Sequence, residues 1–164
     1  MGKIVKLRNY ERCKKNFLYI LIGIPCAGKS TYADSFVLDK PNFRIVSSDE
    51  IRKLMTGTYR FSLDSNREVF ETAKNIIHRK LESGSDVIFD ATNINKDHRI
   101  SVIDIAKRNN SIAVAVVFKT PLSICLIRNA QRNSERRVPE DVIIRMSNFT
   151  EVSISEGFEK IISI

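Results

Sequence analysis

Apolar positions along the chain fall into two alternating kinds of run. Short stretches without polar interruption occur at 17–22 (Phe-Leu-Tyr-Ile-Leu-Ile), 43–46, 87–89 and 112–118. Such runs are expected of strands buried on both faces of a parallel sheet. Between them, apolar residues recur at three- and four-residue spacing. Val69, Phe70, Ala73, Ile76, Ile77 and Leu81 do so most clearly and predict an amphipathic helix over 66–82, stopped by Gly84. Further helices are predicted over 29–36, 49–55, 96–108, 122–131 and 139–149, with Asn95 capping the one at 96 and Pro139 as first residue of the last. A charged loop spans 132–138, and 158–162 reads as a final short strand. The regular strand-helix order implies an α/β fold, a parallel sheet of about five strands with helices on both faces. No internal repeat or low-complexity segment interrupts it.

Composition narrows the class. At 164 residues, 43% hydrophobic and 28% charged, the chain has the size and apolar content of one soluble compact domain, which excludes a two-domain enzyme and a disordered chain. Three cysteines and two histidines are poor material for a disulfide framework or a zinc cage, and the cysteines read as reduced thiols in a cytoplasm. The basic start followed by the apolar run up to Pro25 mimics a signal peptide, but the run is short and is followed at once by Ala27-Gly28-Lys29-Ser30. No stretch reaches the roughly 18 apolar residues of a membrane span, and Lys6 stands where a myristoylation signal has Ser or Thr.

The net charge of +8 is concentrated. Residues 1–15 carry +5 and residues 119–137 carry +4, leaving −1 for the remainder. Residues 1–15 thus read as a basic N-terminal arm ahead of a domain at 16–164. Charge alone describes a solvated arm and a solvated loop. It becomes a nucleic-acid footprint only beside a site that acts on one.

That site has a strong signature. Gly23-Ile24-Pro25-Cys26-Ala27-Gly28-Lys29-Ser30-Thr31 has the spacing G-x-x-x-x-G-K-[ST] and lies between a predicted strand and a predicted helix. Backbone N–H groups of such a loop converge on an anion, and the helix N-terminus adds partial positive charge. Lys29 supplies a point charge for the outer phosphates of ATP, and the Ser30 hydroxyl is placed to ligate Mg²⁺. Cys26 reads as a small loop filler. The fold class is therefore P-loop NTPase-like.

Chemistry in open α/β sheets gathers at the carboxyl ends of strands. Two polar clusters fall there: Ser47-Ser48-Asp49-Glu50-Ile51-Arg52 and Asp90-Ala91-Thr92-Asn93. Asp49 and Arg52 share a helix face, where a carboxylate can take a hydroxyl proton while the guanidinium holds an anionic acceptor. The plainer reading is a helix cap with a surface ion-pair partner. Asp90 closes an apolar strand, which suits a metal or hydrogen-bond duty, or else a turn before Asn95. Arg128 and Arg132, four apart, leave one face of the predicted helix beside the loop, either as a solvated face or as an Arg-rich lid closing over a triphosphate.

The ordered set G-x-P-x-x-G-K-S-T, S-x-D-x-x-R, D-x-T-N, R-N-x-x-R and V-P, from Phe17 to Met146, resembles the kinase domain of bacteriophage and bacterial 5′-hydroxyl polynucleotide kinases. These lie within a broader group of P-loop zeta-toxin-like and aminoacyl-tRNA kinases. The resemblance implies that the loop 23–31 and Arg128 bind ATP, with Lys29 and Ser30 on the phosphates and Mg²⁺. It implies that Asp49 is general base, Arg52 orients the acceptor phosphate, Thr92 and Asn93 meet the acceptor strand, and Arg132 engages the donor phosphates. In some relatives the carboxylate directly precedes Thr-Asn; here Ala91 does, and Asp90 is assigned to the metal or the lid. A phosphatase motif D-x-D-x-T is absent, so the chain is expected to be a kinase domain standing alone, acting on the 5′-OH end of RNA or DNA in repair. A kinase of a small molecule or of aminoacyl-tRNA would share these motifs. A non-enzymatic nucleotide switch or nucleic-acid-binding module would not need Asp49 opposite the arginines.

Overall fold

A computed structural model describes residues 15–164; the basic arm expected at 1–15 lies, apart from Lys15, outside the described residues. The chain runs β1 (Phe17–Ile22), α1 (Lys29–Val37), β2 (Phe43–Ser47), α2 (Ser48–Thr56), α3 (Leu63–Glu82), β3 (Asp86–Asp90) and α4 (Lys96–Arg108). It continues through β4 (Ile112–Val117), α5 (Leu122–Ala130), α6 (Glu140–Met146), a 3-10 turn (Ile154–Glu156) and β5 (Lys160–Ser163). The five strands form one parallel sheet in the order β2-β3-β1-β4-β5.

Strand alternation splits the core between the two faces. On β1, Leu18, Ile20 and Ile22 pack with Val69, Ala73 and Ile77 of α3 and Val102, Ile103 and Ala106 of α4. Leu21 points the other way, toward Ala33 of α1, Cys125 of α5 and Ile143 of α6. Both faces of the sheet are thus covered, as the uninterrupted apolar strands require.

Several boundaries differ from the periodicity, each for a local reason. Helix α3 starts at Leu63, before the apolar repeat, because the Ser62 hydroxyl accepts from the Ser65 N–H at 3.2 Å and caps it. Helix α2 starts at Ser48, one residue ahead of Asp49, with Ser47 as its cap. Pro139 is the cap of α6, its ψ of 134° still extended, and not its first helical residue. Helix α6 stops at Met146, short of the expected 149, and partly buried Phe149 packs against both core clusters. Strand β5 begins two residues late, since Gly157, at φ 113°, ends a 3-10 turn too short to show periodicity, and Phe158 enters the core before the strand starts. Helix α5 ends at Ala130. Arg132 therefore lies in the turn after it, its N–H donating to the Asn129 carbonyl at 3.1 Å, and does not share a helix with Arg128.

Because β1 pairs with β3 on one side and β4 on the other, the chain reverses its direction of winding there. The carboxyl ends of these strands open a crevice at that switch point. Two ties align its floor. The Gly23 N–H donates to the Thr92 carbonyl at 3.0 Å, and the Phe118 N–H to the Ile22 carbonyl at 2.8 Å.

Candidate active site

The crevice measures about 1370 Å³, more than the roughly 300–1,000 Å³ typical of a pocket for one small ligand. Its base is the loop between β1 and α1. A side chain at Gly23 would put a Cβ 3.0 Å from that of Phe118, closer than an ordinary contact, so it would press on the start of the segment after β4. Gly28 at φ 101° caps α1 without a side chain, leaving the first helical N–H groups open to an anion. Cys26 is also left-handed, at φ 67°. Burial pushes its thiol pKa up against the lowering influence of Arg132, Lys29 and Arg128, so it is no activated thiolate, and loop filling is the role that its burial supports.

Lys29 is buried and donates from Nζ to the carbonyls of Gly23 at 2.9 Å and Ile24 at 2.8 Å. Burial lowers its pKa to about 8, against the opposing charges of Asp90 and Asp49. The ammonium is thus costly to hold inside the loop and is poised to gain from phosphate oxygens. Ser30 donates from Oγ to Oδ2 of Asp90 at 2.7 Å. Burial raises the Asp90 pKa, with the Ser30 hydrogen bond and Lys29 pulling it back. Among the described residues no cluster of three metal-ligating side chains occurs. A hydroxyl and a carboxylate beside a phosphate loop nevertheless fit Mg²⁺, which takes few protein oxygens and completes its shell from water and substrate phosphates.

The other wall descends from β2 and β3, whose ends are in register at Ser47 and Asp90. Arg52 is buried. Its Nη1 donates to Asp49 Oδ1 at 2.6 Å and its Nη2 to Asn66 Oδ1 at 3.3 Å, while Nε has no protein partner. The Asp49 side chain is 57% exposed, open to the crevice, and its charge acts on both Lys29 and Asp90. Thr92 is half-buried on the crevice wall. Asn93, left-handed at φ 47°, donates from Nδ2 to the Leu21 carbonyl at 2.8 Å and leaves its buried Oδ1 unpartnered. The sequence-chosen residues on the β2 and β3 sides therefore converge on the same space as the loop.

Arg128 donates to the Cys26 carbonyl at 3.2 Å and lines the crevice with Arg132. Three features that sequence reasoning did not find hold this region. Asn129, buried at the end of α5, spans the base of the basic loop: Nδ2 donates to the Val138 carbonyl at 2.7 Å and Oδ1 accepts from its N–H at 2.9 Å. Arg136 donates to Glu50 at 2.8 Å and to the Tyr59 hydroxyl at 2.6 Å, with its guanidinium 4.0 Å over the Tyr59 ring, so the loop is latched to α2 and the segment after it. Arg99, fully buried, makes a two-bond pair with Glu156 at 2.7 and 2.8 Å and donates to the carbonyls of Asn93 and Ile94. The 3-10 turn thereby fixes the loop after β3. The only sequence trace of it is the spacing Ser153-x-x-Glu156, a capping box.

Residues 18–151 match the AAA_33 family, described as an AAA domain. Over 130 residues the chain is 31% identical to the L-seryl-tRNA(Sec) kinase of Methanococcus maripaludis, covering 79% of this chain and 50% of that protein. It spans about half the length of that relative. Among solved structures, a chain of the Pnkp1/Rnl/Hen1 RNA repair complex superposes with a TM-score of 0.72 at 23% identity, covering 81% of this chain and 43% of that one. A putative kinase from Chloroflexus aurantiacus superposes with a TM-score of 0.72 at 12% identity, covering 92% and 88%. Both share the fold.

Proposed function

The chain belongs to the AAA_33 family of AAA domains, and from that membership and the geometry of its crevice we propose that it is an ATP-dependent 5′-hydroxyl polynucleotide kinase. The observation that carries the reading is the placement of Asp49. An open carboxylate faces the space that also holds the buried Lys29 and the Ser30–Asp90 pair, where the outer phosphates of a nucleotide would lie. A volume beyond that of one small ligand leaves room for donor and acceptor together.

The proposed reaction is an in-line transfer. The loop N–H groups and Lys29 hold the β- and γ-phosphates of ATP, and Arg128 and Arg132, as a lid, neutralise charge on the transferring group. Mg²⁺ held at Ser30, with Asp90 behind it, would supply further charge neutralisation. Arg52, with Nε unpartnered, holds the phosphate that follows the first nucleoside, and Thr92 and Asn93 meet the acceptor strand. The 5′ oxygen forms a bond to the γ-phosphorus as the bond to the bridging oxygen breaks, ADP departs with that electron pair, and Asp49 holds the proton. Most of the acceleration comes from positioning and fixed charge.

Support for RNA comes from both kinds of likeness, since one relative is named for seryl-tRNA and one structural neighbour comes from an RNA repair complex. The former favours a second reading, in which the accepting hydroxyl belongs to an aminoacyl group on tRNA. Incubation with γ-labelled ATP and, separately, 5′-OH oligonucleotides of RNA or DNA, seryl-tRNA, nucleosides and sugars separates them. Label on the oligonucleotide end is the expected result. Label on seryl-tRNA alone, or on a sugar alone, would replace the polynucleotide reading.

A further inference from the structure

A column of three rings runs from the core to the crevice. Phe89 of β3 is fully buried, Phe70 of α3 meets it edge-on at 5.7 Å, and His98 of α4 packs on Phe70 at 4.5 Å with an interplanar angle of 37°. His98 is exposed and lines the crevice with Phe70. Its backbone is fixed, the His98 N–H donating to the Asn95 side chain at 3.0 Å, so the outermost ring stands on a supported base. The proposed reaction leaves this column without a role.

Its position relates it to the acceptor. Phe70 lies one helical turn beyond Asn66, and Asn66 accepts from Arg52. The guanidinium assigned to the acceptor phosphate and the middle ring of the column, Phe70, therefore lie one helical turn apart along α3. Ile94, beside Asn93, lines the same crevice. In a nucleotide, base and phosphate are likewise held apart by one sugar. An aromatic face beside a guanidinium is the pairing by which proteins hold single-stranded nucleic acid, because every base offers a π-face.

Resting on the polynucleotide reading above, we infer that the Phe70–His98 pair is a stacking shelf for the base of the accepting 5′-terminal nucleotide. The shelf makes a planar base, in addition to a hydroxyl and a phosphate, part of what the enzyme recognises. It favours no particular base, since stacking reads the face and not the edges.

The test compares kcat/KM for two oligonucleotides that differ only at the 5′ end, one with a terminal base and one abasic there, at saturating ATP. The expected ratio for the unaltered enzyme is roughly tenfold in favour of the base, within the range measured for single base–aromatic stacks. His98→Ala, an exposed substitution, is expected to bring the ratio close to one, and His98→Phe to preserve it. A merely structural role for His98 would lower both substrates equally and leave the ratio unchanged. Equal use of both oligonucleotides by the unaltered enzyme would remove the shelf and leave the kinase reading standing. Failure to phosphorylate either, with ATP still bound, would remove both.

Discussion

The ion pair between Asp49 and Arg52 is asymmetric: the guanidinium is nearly enclosed while the carboxylate is more than half exposed. Arg52 thus holds Asp49 through Oδ1 and leaves the rest of the carboxylate open to the crevice. Asp49→Asn keeps the size and the contact but cannot take a proton. Turnover is expected to fall by about 10²–10⁴, the usual contribution of a general base, while ATP affinity measured by calorimetry stays within about twofold. Unchanged turnover would exclude Asp49 as base. Lys29 makes a second prediction, through linkage. Its pKa is about 8 in the folded loop and 10.5 in an unfolded chain. Between those values the unfolded chain binds more protons, so this group makes the free protein more stable as pH rises. Phosphates favour the ammonium, so nucleotide affinity should run the opposite way: flat below about pH 8, then weakening by up to tenfold per pH unit, with proton uptake on binding near pH 9. Titrations in buffers of different ionisation enthalpy measure that uptake, and its absence would place Lys29 away from the phosphates. The placement of both residues in the crevice was legible because the loop spacing and the S-x-D-x-x-R pattern each lie within a few positions at a strand end. Asn129 was not, because its partner Val138 lies across a loop, nine residues on, and no local spacing marks the pair.

At the scale of elements, the uninterrupted apolar strands and the helix start marked by Asn95 were readable, since burial on both faces and capping leave traces within the segment itself. The end of α5 was read to within one residue, 131 against Ala130, but the helix face that Arg132 was expected to share with Arg128 is not borne out, because Asn129 ties the chain there to the distant Val138 backbone. The 3-10 turn escaped for the same kind of reason. Its importance is tertiary: Glu156 reaches Arg99, 57 residues away, in a pair from which water is excluded. Removing one partner of such a pair leaves an uncompensated buried charge, at a cost of about 3–5 kcal/mol. Glu156→Gln is therefore expected to lower the melting temperature by roughly 10 °C for a domain of this size. Since Arg99 also holds the Asn93 and Ile94 carbonyls, the same variant should raise KM for the acceptor more than KM for ATP. A change of less than about 1 kcal/mol in stability would show that the pair contributes little beyond what water supplies.

For the molecule as a whole, the second basic cluster has a definite place. Arg128, Arg132, Arg136 and Arg137 all line the crevice, so the charge read along the sequence as a loop faces the candidate site. Part of it is already committed within the protein, since Arg136 pairs with the Glu50 carboxylate, whereas Arg128 and Arg137 donate only to backbone carbonyls and keep their charge uncompensated. The free share is smaller than the net charge suggests, and a salt titration measures it. Each phosphate neutralised on a single strand contributes about −0.7 to the slope of log affinity against log salt. At saturating ATP, a dinucleotide with one internal phosphate, held by Arg52, should give a slope near −0.7. A decanucleotide that also reaches the arginines of the basic cluster should be steeper, by about −0.7 for each further contact. The difference between the two lengths isolates the acceptor track from the nucleotide site, which is common to both. If the slopes coincide, the protein grips only the terminal nucleotide, and the basic cluster serves the triphosphate alone.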